Sequence, residues 1–370
     1  MSRFAGLACP ILLAATTAGA AFVKQPYLQT LNDSTVVVCW ETSTAQPGKV
    51  EYGLNWNYGT EVAHSDSAVD HELRLAGLQM AAVYHYRAIS GSDTSIDATF
   101  RTNVAGGRPF RFFVYGDDRS DRAAHQRVVN RMLRVSPTPN LALNVGDLTY
   151  RGSGSDYRTF FDVERELMRR LPVYPTLGNH DIRKLANWFR FFALPGNERW
   201  YSVRYGNSVF VCLDNYSNCA PGSPQHDWLV SELQTDSADP SVRHIFVWFH
   251  DPPYTTNAGH NSDMTVRQYL CPLFERFHVV IAFQGHVHAY EHSIVNGVHY
   301  IVSGGGGAPL HTRWNAAQPW TMYREATYET VVVDVNGDTI RSVGIRPNGS
   351  EFDTLVLVHA MPGSSGRRTR

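Results

Sequence analysis

An all-β sandwich followed by an α/β domain with mixed sheets is the architecture that the sequence predicts. Three observations carry it. Residues 22–103 read as short apolar runs separated by turn residues. Past residue 109, strand-like runs alternate with segments of helical period. In that second region, five short motifs rich in Gly, Asp, Asn and His each fall just past the end of an expected strand. The 370 residues suit two domains at about 150 residues each.

Residues 1–20 have the form of a secretory signal. Arg3 precedes an apolar run over 4–15, and Ala18-Gly19-Ala20 supplies a small-residue cleavage site. The mature protein is therefore expected to be secreted or periplasmic. No later stretch reaches 18 consecutive apolar residues, so no membrane span is expected.

The β region has expected strands at 25–30, 34–41, 48–52, 71–75, 83–90 and 97–102, with Trp40 as a core anchor. Leu78 followed six residues later by Tyr84 resembles the tyrosine corner of fibronectin type III-like domains. The domain is placed at 22–103, and 103–109 is a Gly-rich linker ending in Pro109. The second domain is placed at 108–360. Its expected strands are 110–115, 141–145, 173–177, 244–249 and 279–283, and its helices are 122–135, 156–171 and 266–277. Asn296-Gly297 and Asn336-Gly337 mark hairpins, and 361–370 reads as a tail. Beyond the signal remain Cys39, Cys212, Cys219 and Cys271. Cys219 lies in a loop, and Cys271 is its expected disulfide partner.

Charge narrows the function. There are 33 Lys and Arg against 34 Asp and Glu, a net charge of −1, so no basic surplus exists to neutralise a nucleic-acid backbone. Eleven of the 16 histidines lie between His180 and His311, which points to metal or proton chemistry. The strand-end motifs are Gly116-Asp117-Asp118, Gly146-Asp147-Leu148-Thr149-Tyr150, Gly178-Asn179-His180-Asp181, Phe249-His250 and Gly285-His286-Val287-His288. In open α/β sheets the carboxyl ends of the strands meet at one crevice. Each motif alone is an ordinary polar turn. Together they offer two Asp, one Asn, three His and one Tyr, a mixed O and N set suited to Fe, Mn or Zn. A shared carboxylate would let two metals sit about 3.5–4 Å apart, the spacing used to hydrolyse phosphate esters.

This order of motifs resembles the calcineurin-like metallophosphoesterase superfamily. Tyr150, three residues after Asp147, resembles the mark of the purple acid phosphatase family within it. Gly285-His-Val-His-Ala-Tyr-Glu291 and the glycine run 304–307 are similar to that family's signatures. The resemblance covers about residues 22–345 and implies a metal-dependent phosphoric monoester hydrolase, an acid phosphatase acting through a metal-held hydroxide. It implies a binuclear centre of Fe(III) plus a divalent Zn, Fe or Mn. Asp117, Tyr150 and His288 would bind the first metal, Asn179, His250 and His286 the second, and Asp147 would bridge. It also places His180 and His260 near the substrate phosphate. One departure is plain: the family's first motif reads Asp-x-Gly, whereas this chain has Asp117-Asp118-Arg119. Arg119 suits a phosphate geometrically, or pairs with Asp118 or Asp121.

Asp181 is expected to orient a histidine or cap its turn. His292, His299 and His311 are expected to be structural or exposed, and residues 304–307 to pack closely beneath the site. The expected partner is a small phosphate ester. The same metals would equally serve a phosphodiesterase or nucleotide hydrolase. A noncatalytic adhesion module built on the sandwich is the reading from another class.

Overall fold

The first six strands are antiparallel and form one hydrogen-bonded sheet, β1 (Phe22–Gln29), β2 (Val36–Gly53), β3 (Thr60–Leu75), β4 (Val83–Ser90), β5 (Asp93–Thr94) and β6 (Ala98–Arg101). These begin a computed structural model that describes residues 22–358. The expected signal segment and C-terminal tail lie outside the described residues. The two strands expected at 34–41 and 48–52 are a single strand of 18 residues. Register shifts after Glu41 and Gln46 absorb the irregularity. Pro47 sits at that bulge, where a missing N–H breaks no ladder. Trp40 is buried, its indole N–H donating to Ser90 Oγ at 2.9 Å. Tyr84 forms the corner anticipated for it: its hydroxyl accepts from the Gln79 backbone N–H at 3.0 Å.

Two mixed sheets come next along the chain. The first contains β7 (Phe110–Tyr115), β8 (Leu141–Asn144) and β9 (Val173–Pro175), parallel to one another. It is extended on the β7 side by antiparallel β17 (Thr330–Asn336), β18 (Thr339–Ile345) and β19 (Glu351–Val358). The second has order β10-β11-β12-β13-β15-β14-β16. Its parallel centre is β11 (Ser208–Cys212), β12 (His244–Trp248), β13 (Ile281–Gln284) and β15 (Val298–Ser303). β10 (Tyr201–Tyr205), β14 (Tyr290–Val295) and β16 (Thr321–Glu325) are antiparallel additions.

Period-two alternation explains how the sheets stack. Phe210, Phe246 and Phe283 point inward and meet Phe112 of the first sheet, with ring centroids 5.0, 5.2 and 6.1 Å away. Their neighbours Val209, Val211, Ile245 and Val247 point outward into a second core. That core is covered by α4 (Pro224–Ala238), α5 (Met264–Tyr269) and α6 (Cys271–Arg276). α1 (Arg122–Met132) and α2 (Gly154–Met168) accompany β7 and β8, and α3 (Leu185–Phe191) comes after a 3₁₀ turn at Asp181–Lys184. Asp121, Ser153, Ser223 and Asp263 cap α1, α2, α4 and α5 through side-chain oxygens. The single helix expected at 266–277 is divided at Leu270, because Pro272 has no N–H and clashes with the preceding turn, so it sits in the first turn of a new helix. All four described cysteines are free and buried, so the expected Cys219–Cys271 bridge is not formed. The Cys271 thiol instead faces the hydroxyls of Tyr300 and Tyr254. No helix among the described residues is long and apolar enough to cross a membrane.

A buried ion cluster ties the N-terminal antiparallel sheet, through β1 and β2, to helices α2 and α3. Lys24 Nζ lies 3.6 Å from Glu41 Oε2, both side chains 2% exposed, and Arg158 and Arg190 approach Glu41 Oε1 at 2.5 and 3.3 Å. Glu41→Ala removes the one anion that three cations share. Asp70 remains 3.8 Å from Lys24 and 2.7 Å from Arg190, so unfolding free energy should fall measurably, by at most the roughly 3–5 kcal/mol of a broken buried ion pair. A denaturant midpoint within experimental error of wild type would contradict this.

Candidate metal centre

β7, β8, β9, β12 and β13 end at Tyr115, Asn144, Pro175, Trp248 and Gln284. Within four residues of these ends come Asp117, Asp147, Asn179, His250, and the pair His286 and His288. The crevice is therefore lined by turns, and three of the turn residues have left-handed backbones: Asp117 (φ 58), Asp147 (φ 57) and His286 (φ 68). Each such residue costs roughly 1–3 kcal/mol unless its surroundings enforce it. Here Asp117 N–H donates to Gly146 O at 2.8 Å, and Asp117 Oδ2 accepts from His286 N–H at 2.8 Å. Gly178 is required by close approach: a Cβ there would lie 2.2 Å from Asp147 Oδ1 and 2.3 Å from its backbone nitrogen.

One ligand atom each from Asp117, Asp147 and His250 falls within 4.8 Å of the others, and all three residues are fully buried. Asp117 Oδ1 and His250 Nε2 have no hydrogen-bond partner. His250 Nδ1–H donates to Val145 O at 2.6 Å, which leaves the Nε2 lone pair facing the carboxylates, 3.6 Å from Asp147 Oδ1. His288 is fixed the same way: Nδ1–H donates to Pro309 O at 2.7 Å, and Nε2 lies 3.4 Å from Asp117 Oδ1. Asn179 Oδ1 is 3.2 Å from His286 Nδ1. Orphaned buried oxygen and nitrogen atoms, with imidazole tautomers held by backbone carbonyls, fit a metal.

The electrostatics agree. Burial lowers the pKa of His250, but Asp147 and Asp117 outweigh it and lift the pKa to about 9. Asp117 is held to about 2 because His250 and His288 overcome its burial. Burial, with the His250 charge, drives His286 down to about 3. The carboxylates thus demand a cation, and a proton on His250 answers that demand. A metal on Nε2 must expel this proton. Apparent affinity for a divalent metal should therefore rise roughly tenfold per pH unit toward pH 9 and level off above it. Calorimetric titration of the full chain at several pH values measures this, and a flat profile would contradict the assignment of His250.

Most of the other expected residues also reach the crevice. His180 is close by, its Nδ1–H donating to Tyr150 O at 2.6 Å and its Nε2 3.9 Å from Asp147 Oδ2. His260 reaches in, with Nδ1 3.0 Å from His286 Nε2. Tyr150 is 47% exposed, its ring stacked on His180 at 5.3 Å. Arg119 donates from Nε to Asp147 Oδ2 at 2.8 Å and from Nη2 toward His288 Nε2 at 3.2 Å. The pairing considered for it with Asp118 or Asp121 is not made. It stands where the resemblance sets the first metal, using the same lone pairs. Asp181 orients no histidine but does cap its turn: its side chain accepts from Gly178 N–H (3.1 Å) and from Thr149 Oγ1 (2.9 Å), joining two loops of the site.

Two residues join the site without a signal in the sequence. Asp251 carries an oxygen 3.3 Å from His286 Nδ1, accepts from the Tyr216 hydroxyl, and groups with His250 and His286 as a possible ligand. His311, expected to be structural or exposed, lines the site: its ring stacks on His288 at 4.0 Å and on His260 at 4.4 Å. His292 and His299 are buried, as one of the two expectations had it, in a chain running to Asp353. A cleft of about 760 Å³ opens beside the centre, walled by Arg119, Tyr150, Phe160, His288, Leu310 and His311.

Comparison with known proteins identifies the domain that carries this crevice. Residues 110–290 match the calcineurin-like phosphoesterase family. Purple acid phosphatase 15 of Arabidopsis thaliana is 27% identical over 296 residues, covering 65% of this chain and 54% of that protein. A nucleotide pyrophosphatase/phosphodiesterase of Hordeum vulgare is 24% identical over 303 residues, covering 64% of this chain and 82% of that protein. The chain spans about half the length of the first curated relatives it matches. The structure of a purple acid phosphatase from yellow lupin (Lupinus luteus) seeds superposes with a TM-score of 0.78 at 18% identity, over 90% of this chain and 74% of that one. The chain is thus a relative of the purple acid phosphatases, built on a calcineurin-like phosphoesterase domain.

Proposed function

We propose that this chain is an exported phosphatase that hydrolyses phosphomonoesters at a binuclear centre held by Asp117, Asp147, Tyr150, Asn179, His250, His286 and His288. The observation that carries the reading is the convergence of Asp117, Asp147 and His250 around two unpartnered buried ligand atoms. Fe(III) with a divalent Zn, Fe or Mn fits a donor set that mixes carboxylates with neutral imidazoles. Bound metals would supply an acidified water and neutralise charge developing on the phosphoryl oxygens.

The chain's own groups do the rest. His180 is locked by the Tyr150 carbonyl, which leaves its Nε2 unencumbered; once the ring is protonated, Nε2–H can hold a phosphoryl oxygen or pass its proton to the leaving group. His260 presents a second imidazole from its loop. Arg119 must withdraw from Asp147 and His288 when a metal takes their lone pairs. Its released guanidinium then matches a phosphoryl group in shape and charge. Phe160 and Leu310 give the cleft an apolar wall for the leaving group.

Iron analysis and the visible spectrum of the full chain test the centre. A purple to pink protein is expected, with the band lost in Tyr150→Phe while the second metal is retained. A colourless protein containing Fe(III) would remove Tyr150 from the ligand set. Similarity to the barley nucleotide pyrophosphatase/phosphodiesterase keeps a diesterase or nucleotide hydrolase as the second reading. Comparing 4-nitrophenyl phosphate with bis(4-nitrophenyl) phosphate separates the two: the monoester should give the higher kcat/KM by at least about tenfold, and the reverse order would replace the first reading by the second.

A further inference from the structure

Behind the Asp117–Asp147 centre lies another set of ligands with no part in the chemistry above. Asp118 comes just after β7, His125 is in the first turn of α1, and Glu164 is on α2. One ligand atom from each lies within 4.8 Å of the others, and none of the three is more than 3% exposed. His125 Nε2 is 2.7 Å from Glu164 Oε1 and 3.8 Å from Asp118 Oδ1. Asn144 Nδ2 donates to Asp118 Oδ2 at 2.5 Å, which fixes that carboxylate and leaves its other oxygen facing the cluster.

Three oxygens here are buried without a hydrogen-bond partner: Asp118 Oδ1, Glu164 Oε2 and the hydroxyl of Tyr115. Unsatisfied buried oxygens are expensive, and buried charge must be balanced. Once both carboxylates are ionised they outnumber the single imidazole and leave an excess of negative charge, which burial otherwise relieves by raising the pKa of the Asp118 carboxyl to about 8. A divalent cation answers both demands at once. The carboxylates neutralise it, and imidazole nitrogen with carboxylate oxygen is a donor set for Mn, Fe(II) or Zn. Asp118 and His125 also line the 760 Å³ cleft, which gives a path for an ion to enter.

We propose that Asp118, His125 and Glu164 form a separate site for a divalent cation, which would bind β7, α1 and α2 together beneath the crevice. The site does not depend on the function proposed above, since it shares no ligand with that centre.

Manganese serves as the probe. The full chain is stripped with a chelator, saturated with Mn²⁺ and crystallised, and the anomalous signal of manganese is mapped. A peak between Asp118, His125 and Glu164 is expected, whether or not the Asp117–Asp147 centre is filled. Glu164→Gln keeps the shape of the side chain and should remove that peak and one bound equivalent in solution, with Kd for that equivalent raised by more than about tenfold. Water alone at the cluster in saturated wild type overturns the proposal, and that result requires no variant to fold. Unchanged Mn²⁺ stoichiometry and affinity in Glu164→Gln overturn it as well. Manganese at the cluster with an empty Asp117–Asp147 centre would exclude Mn²⁺ from that centre and leave this proposal standing.

Discussion

Asp147→Asn is expected to lose most of the bound metal and to reduce kcat/KM by at least about a thousandfold. The size of the effect rests on how much converges on that carboxylate. Oδ1 accepts the His180 N–H and faces His250 Nε2, while Oδ2 receives Arg119. In the proposed bridge, loss of its charge weakens both metals together, and single preorganised electrostatic contacts are already worth about 10²–10³ in rate. Asparagine tolerates the left-handed backbone at this position, so the fold should persist and the defect should be chemical. Metal content by mass spectrometry and steady-state kinetics check it together. Full metal content with near-normal activity would show that Asp147 does not bridge.

Gly178→Ala should be nearly as damaging by a steric route. The added methyl would meet Asp147 Oδ1 at 2.2 Å and the Asp147 backbone nitrogen at 2.3 Å. Backbone cannot swing aside as a flexible side chain can, so the turns carrying Asp147 and Asn179 must separate. Overpacking of this kind costs about 1–3 kcal/mol, and displacement of ligands by even 1 Å costs about 10²-fold in rate. Gly154→Ala is the control. It lies in the first turn of α2, its nearest contact would be 3.8 Å away, and alanine favours the helix. If Gly178→Ala is as stable and active as Gly154→Ala, the crowding at the crevice is not what positions Asp147.

How much the sequence reveals of each element depends on how local its physical cause is. The strands before Asp117, Asp147 and His250 are unbroken apolar runs, and a polar turn residue after such a run marks its end. So the crevice and most of its lining can be anticipated. Helix α4 cannot. Of its residues only Gln225, Leu229 and Leu233 are buried, and Asp227, Ser231, Asp236 and Ser237 are poor helix formers. Its helicity comes from the Ser223 cap and from packing two leucines on the second sheet. Asp251 escapes notice for a related reason. Its role is set by Tyr216 and His286, 35 positions away on either side, which no local pattern announces. His311 lies in a loop without regular structure, and only the fold stacks it on His288 and His260. Arg119 is visible as a departure, but its contact with both Asp147 and His288 is not.

The left-handed backbones at Asp117, Asp147 and His286 also restrict how this protein can drift. An L residue with a branched or bulky β-carbon resists that conformation; Gly, Asn, Asp and, less readily, His adopt it at least cost, and other types, such as Tyr58 and Glu198 here, hold it only where the surroundings enforce it. At these positions inheritance is therefore filtered twice, once by chemistry and once by the main chain, and the second filter acts even on a copy that has lost its catalytic duty. A duplicate released from selection for turnover should exchange Tyr150 or His260 freely while its three twisted positions drift mainly among Asp, Asn, His and Gly. A saturation library scored for folded protein alone would reveal that narrow alphabet, and the same alphabet limits which new metals or reactions the crevice can reach by single steps.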